Sequence, residues 1–211
     1  MLYVCSLIKF VCFLEFVCFL LIQDGTFDNF DYQSFNQQFN VHTLKATGLA
    51  NLSKKVNILN RQVKRIRPDC IYIHMGTSDF IKKKSGILNW LEDLILHLLL
   101  TSDAQICVSL IIPTNNNNGL NDKINLVNKE IMEYVSWLHN RDADARKRVF
   151  TYSNSNVSGQ NKYSISTGPK LTARGEKMLW IRLREGLRKA LRLPRVNYHS
   201  TTYSTNLSND G

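Results

Sequence analysis

Residues 67–80 read Arg67-Pro68-Asp69-Cys70-Ile71-Tyr72-Ile73-His74-Met75-Gly76-Thr77-Ser78-Asp79-Phe80, and this stretch decides the fold. From Cys70 to Met75 the chain is almost continuously apolar, as in a strand of a parallel sheet covered on both faces. Gly76 stops the run. Thr77, Ser78 and Asp79 then place polar side chains in a glycine turn, the kind of turn that carries ligand chemistry at the carboxyl end of such a strand.

Working outward, strand and helix signals alternate along the chain. Residues 16–22 form a continuous apolar run, and 39–44 a shorter strand candidate that ends before Ala46-Thr47-Gly48. Ser53 is placed to cap a helix through about residue 65, with Val56, Leu59, Val63 and Ile66 at helical spacing. After the 70–75 strand come a very apolar helix over 87–100, a strand over 106–112 stopped by Pro113, and a helix over 121–138. A short strand over 149–152 and a last helix over 172–193 complete the series. Strands separated by helices of this length imply βαβ crossovers and an α/β three-layer sandwich. The expected sheet has five parallel strands in the flavodoxin-like order 2-1-3-4-5. Its chemistry belongs at the carboxyl ends of the strands, in the turns 23–27, 46–51, 76–80, 113–119 and 164–172.

A chain of 211 residues with 44% hydrophobic content is long enough for one α/β domain with a substantial core. The domain is assigned to residues 16–195, with an apolar extension over 1–15 and a polar tail, rich in Ser, Thr and Asn, expected to be disordered over 196–211. Cys5, Cys12, Cys18, Cys70 and Cys107 are odd in number and sit in apolar runs, with no disulfide or zinc spacing. Met1 to Ile22 is apolar enough to raise a secretory or membrane-anchored alternative. However, Lys9 and Glu15 interrupt it, and neither a basic start nor a small-residue cleavage site is present. It also contains a tandem copy, Phe10-Val-Cys-Phe-Leu14 followed by Phe16-Val-Cys-Phe-Leu20. The second copy leads into the first strand, so the expectation is an uncleaved, soluble, intracellular protein in which the sequons at Asn51, Asn156 and Asn206 carry no glycan.

The formal charge of +10 is concentrated near the C-terminus: residues 170–195 hold nine Lys and Arg against Glu176 and Glu185. In the last helix Leu179, Leu183, Leu187 and Leu191 recur every fourth residue and should dock on the sheet. Arg182, Arg184, Arg188, Lys189 and Arg192 are then left mostly toward solvent, a surface that could meet nucleic acid or an acidic partner, although a solvated helix face is the commoner use of such charge.

Taken together, these turns resemble the signature blocks of the SGNH (GDSL-type) hydrolase superfamily, in the right order over residues 16–192. After Arg-Pro-Asp, the family's third block ends in His-x-Gly-Thr-Asn-Asp, whose Asn helps form the oxyanion hole; here that position is Ser78. The first block reads strand, Gly-Asp-Ser, with Ser as nucleophile. This chain has Gln23-Asp24-Gly25, so Asp24 fits and Gly25 stands at the nucleophile position, unless a one-residue shift puts Thr26 there. The second block supplies a glycine whose N–H faces the oxyanion, matched by Gly48. The last block, Asp-x-x-His-Leu, aligns with Thr167-Gly-Pro-Lys170-Leu171, so that Thr167 replaces the Asp and Lys170 the His base.

Ester hydrolysis on this fold needs a hydroxyl nucleophile, an imidazole to take its proton and donors for the oxyanion. Gly25 has nothing to attack with, and Lys170 is protonated at its ordinary pKa. The resemblance therefore implies an SGNH domain that has lost catalysis and acts by binding. The alternatives are a working carboxylic-ester hydrolase with rearranged residues, such as a Ser78–Lys170 pair, and a nucleic-acid-associated accessory protein. His74 reads as a hydrogen-bonded core histidine, and His42, His97, His139 and His199 are isolated, so neither a metal nor another cofactor is indicated. Finally, Ile111-Ile-Pro113 with Leu120-Asn-Asp-Lys-Ile-Asn-Leu-Val-Asn128 resembles the branch of the superfamily found in first-open-reading-frame proteins of animal non-LTR retrotransposons. That resemblance implies a mobile-element or viral relative as readily as a host one.

Overall fold

The computed structural model of the chain describes residues 17–24, 39–77, 79, 86–113, 118–154, 163–164 and 170–191. The expected 1–15 extension and 196–211 tail lie outside them. Five strands form the main sheet: β1 (Val17–Gln23), β2 (Phe39–Lys45), β3 (Cys70–His74), β4 (Gln105–Ser109) and β5 (Val149–Tyr152). Their order is β2-β1-β3-β4-β5 with every neighbouring pair parallel, as the alternation of elements implied.

The alternation of side chains along each strand sorts the core into two layers. On one face Leu20, Ile22, Ile71, Ile73, Ile106 and Val108 meet α1 (Leu49–Ser53), α2 (Val56–Ile66), α3 (Ile87–Thr101) and α4 (Asn118–Arg141). On the other, Phe19, Leu21, Cys70, Tyr72 and Cys107 meet α6 (Ala173–Ala190). A short helix, α5 (Ala143–Arg148), leads into β5 and is capped by Asp142, whose carboxylate accepts the N–H groups of Asp144 and Ala145. Phe19, Leu20, Leu21 and Ile22 are all fully buried. At roughly 1.5–3 kcal/mol each, these four rival the net stability of a typical domain, about 5–15 kcal/mol. Cleavage after residue 22 would therefore take the centre out of the sheet. No helix among the described residues is long and apolar enough to cross a membrane.

Leu179, Leu183 and Leu187 are buried on the sheet as their spacing predicts, and Leu191 packs at its edge. Trp180, absent from that fourfold series, is also buried, edge-on to Phe19 with ring centroids 6.3 Å apart. The helix lies so close to β5 that a Cβ on Gly186 would collide with the Tyr152 ring.

Several boundaries differ from expectation. Ser53 does not cap the helix that follows; it ends α1, and Lys55 stands at the N-cap of α2. The apolar run over 106–112 leaves the sheet at Ser109 because Ile111 is claimed by a side chain: Asn128 accepts its N–H and donates to its carbonyl, both at 2.8 Å. Around the expected 164–172 turn, β6 (Tyr163–Ser164) and β7 (Lys170–Leu171) pair as a small antiparallel ribbon.

Candidate functional site

The carboxyl edge of the sheet is built by the ends of β1 to β5. Asp24 follows β1 directly, and the Ala46 N–H bonds to the Gln23 carbonyl at 2.9 Å, so the turn carrying Gly48 sits beside the end of β1. Gly48 has φ 144° and ψ 166°, a combination only glycine adopts readily. Its carbonyl accepts the first amide bonds of α1, from Asn51 and Leu52. The next N–H, that of Leu49, donates to the Asp79 carboxylate at 2.7 Å. Asp79 is fully buried, arrives from the turn after β3, and leaves no room: a Cβ on Gly48 would lie 2.5 Å from its Oδ1. A carboxylate at a helix N-terminus meets both an orphan donor and the positive end of the helix dipole. Asp79 thus latches the Gly48 turn across 30 residues of sequence.

A second polar cluster lies on the α6 face, at the ends of β3, β4 and β5. His74 Nδ1 and the Ser109 hydroxyl are 2.7 Å apart, and Asn154 Nδ2 donates to the same hydroxyl at 2.6 Å and to the Leu110 carbonyl at 3.1 Å. If the Ser109 hydroxyl accepts from Asn154 it can donate to Nδ1, which makes His74 a neutral, Nε2-protonated imidazole. Tyr72 stacks on the His74 ring at 6.4 Å with an interplanar angle of 6°. Burial holds the His74 pKa below its ordinary 6.5, while the charge of Asp24 opposes the shift. Burial also pushes the Tyr72 phenol well above its usual value.

The His74 shift has a testable consequence. The unfolded chain binds a proton near the ordinary 6.5 and the folded chain only at lower pH, so between those two values acid favours unfolding. The His74 contribution to stability should be level above about pH 7 and decline as the pH falls below 6.5. His74→Gln should lose this part of the decline, as read from urea midpoints between pH 5 and 8. A wild-type midpoint that rises on acidification in that window would contradict the buried neutral imidazole.

Of the residues singled out in the sequence, Asp24 and Gly48 come to this edge. Gly25, Ser78 and Thr167 lie outside the described residues, and of Lys170 only the backbone, the first residue of β7, is described. Thr172 caps α6 by accepting the Gly175 N–H at 3.2 Å. At the other end of that helix Leu191 shares a cavity with Pro68, Asp69 and Gln105 at the amino edge of the sheet. The helix therefore runs against the strand direction, with β7 toward the carboxyl edge. Asp79, Ser109, Asn128 and Asn154 had no assigned role. Asp79 carried a signal as the last polar residue of the quoted turn, and Asn128 as the residue that closes the quoted run over 120–128.

The basic helix is partly covered. Arg182, Arg184 and Arg188 are intermediate in exposure, and Arg182, its side chain 43% exposed, pairs with Glu185 at 2.9 Å. A helix laid flat on a five-stranded sheet has a wide contact face, and the aliphatic stems of arginine serve as part of it. The Lys189 side chain and Arg192 lie outside the described residues.

Two cavities are distinct from the polar cluster around His74. One of about 240 Å³ is lined by Leu49, Leu52, Val56, Trp90, Leu94 and His97, between α1, α2 and α3. The other, about 780 Å³, is the polar cavity at the amino edge. Neither is lined by the buried polar groups described above. Among the described residues no cluster of three His, Cys, Asp or Glu side chains could hold a metal ion.

By sequence, no family model and no curated protein matches the chain. By structure, it is similar to an acetyl esterase mutant with acetate ion, at TM-score 0.63 and 14% identity over 83% of this chain and 98% of that one. A carbohydrate esterase family 3 protein from Talaromyces cellulolyticus is similar at TM-score 0.63 and 14% identity, over 85% of this chain and 100% of that one. A member of the lipolytic protein G-D-S-L family from Veillonella parvula follows at 0.58 and 14%, over 80% and 96%. At such identities the likeness is one of fold. With its all-parallel sheet in the order 2-1-3-4-5, the chain has the SGNH-hydrolase fold.

Proposed function

We propose that this chain is a pseudoenzyme, an SGNH-hydrolase-like domain that has lost its catalytic residues and serves as a binding or accessory protein. The observation that carries the reading is that β1 ends at Gln23, so that Asp24 and then Gly25 follow at the place where the family sets its Asp and its nucleophilic Ser. The second-block turn, by contrast, keeps its glycine, held by Asp79. With Lys170 in the place of the base and Ser78 in that of the oxyanion Asn, the site retains a backbone frame without nucleophile or imidazole. The likeness of residues 111–128 to retrotransposon-encoded esterase-like domains supports a mobile-element or viral relative. A nucleic-acid or acidic partner for Arg182, Arg184, Arg188, Lys189 and Arg192 rests on charge alone.

The test is hydrolysis of a short-chain p-nitrophenyl ester by the wild-type protein beside Ser78→Ala and Lys170→Met. All three should run at the uncatalysed rate. Turnover in the wild type that is lost in both variants would replace the pseudoenzyme with a rearranged Ser–Lys hydrolase, in which a desolvated lysine serves as base.

A further inference from the structure

The tandem copy at the N-terminus sets up a second way to fill the middle of the sheet, and we propose that Glu15 is the residue that forbids it. Strand β1 reads Val17-Cys18-Phe19-Leu20-Leu21-Ile22-Gln23. Six residues earlier the chain reads Val11-Cys12-Phe13-Leu14-Glu15-Phe16-Val17, identical at the first four positions. This earlier copy lies mainly outside the described residues.

Six is an even number, so a slip by one copy would keep every side chain on its own face of the sheet. Phe13 would replace Phe19 against Tyr72 and Trp180, whose rings lie 6.2 and 6.3 Å from it, and Leu14 would replace Leu20. The ladders to β2 and β3 are made by backbone groups and accept either copy. Lengthening the connection to β2 by six residues adds little closure entropy. Hydrophobic pattern and pairing therefore leave the register open over these four positions.

The fifth position decides it. Leu21 is fully buried on the α6 face, with Tyr72 and Thr43 as its neighbours across the sheet. Glu15 in that place would put a carboxylate into an apolar layer, a far larger penalty than a change of shape. Phe16 would overfill the place of Ile22, and Val17 would remove the buried amide of Gln23; both disfavour the slip less strongly. The register also decides the site. In the slipped form Cys18 and Phe19 stand where Asp24 and Gly25 belong, so the carboxyl edge loses its acid.

Amide hydrogen exchange with mass analysis of the full chain tests the lock. In the wild type, protection in this region should begin near residue 17 in a single population. The double variant Glu15→Leu, Phe16→Ile makes residues 11–16 identical to residues 17–22 and leaves β1 itself unchanged, and exchange should become bimodal, with residues 11–16 protected in a second population. Glu15→Leu alone should show the same second population at a smaller fraction, and Glu15→Lys, which keeps a charge, should show none. A single population with protection still beginning at residue 17 in both the double variant and Glu15→Leu would overturn the proposal. So would equal second populations in Glu15→Leu and Glu15→Lys, a comparison that stands even if the double variant does not fold.

Discussion

Gly48→Ala should cost about 3–5 kcal/mol of folding stability, enough to unfold a marginal domain. Two terms add. A side chain at φ 144° and ψ 166° is held in a region that costs roughly 1–3 kcal/mol outside glycine. The new methyl would also sit 2.5 Å from Asp79 Oδ1, so the carboxylate must leave the Leu49 N–H. That leaves a buried donor and a buried charge without each other, at roughly 1–3 kcal/mol more. The terms can be separated by a cycle with Asp79→Ala, which removes the obstacle but not the backbone strain. Adding Asp79→Ala to Gly48→Ala should cost about 1–2 kcal/mol less than adding it to the wild type. Urea unfolding supplies all four stabilities. If Gly48→Ala costs under about 1 kcal/mol, the latch does not hold the turn in solution.

The same pair shows what sequence could and could not reveal. The sheet was legible because residues 16–22, 70–75 and 106–112 are continuous apolar runs, and such runs separated by helices leave few arrangements other than a parallel sheet. The end of the 106–112 run was misread because apolarity reports burial, not strand geometry. Leu110, Ile111 and Ile112 are buried after the strand has ended, with the backbone of Ile111 satisfied by Asn128. Helix α1 was hidden for a related reason. The group that receives its first N–H is Asp79, thirty residues away, so the capping signal sought locally at Ser53 was absent from the place that mattered.

The candidate site was legible only in its backbone. Gly48 could be read as a turn glycine from its neighbours, and Asp24 from its place after a strand. The convergence of His74, Ser109 and Asn154 could not be read, because each looks unremarkable on its own strand or turn and their meeting depends on the registers of β3, β4 and β5. The partial cover of the α6 arginines was not legible because a fourfold leucine pattern marks only the centre of a buried face, and Trp180 beside it widens that face.

If the backbone frame is intact and only the reacting groups are gone, returning those groups should return the reaction. The variant Gly25→Ser, Ser78→Asn, Thr167→Asp, Lys170→His restores nucleophile, oxyanion donor, orienting acid and base at the positions matched by resemblance to the SGNH blocks. In a serine hydrolase, loss of the nucleophile or base costs on the order of 10⁶ in turnover and loss of an oxyanion donor about 10²–10³. Even a misplacement by about an ångström, which costs roughly 10²-fold, would leave a gain of about 10³ or more over the wild-type rate on a short-chain p-nitrophenyl ester. The same variant carrying Gly25→Ala instead of Ser should stay at background, which separates nucleophilic catalysis from a general effect of histidine. Circular dichroism and urea midpoints must match the wild type for the comparison to count. A folded four-residue variant no faster than its Gly25→Ala counterpart would mean that Gly25, Ser78, Thr167 and Lys170 do not meet around Gly48, and the pseudoenzyme reading would lose its geometric basis.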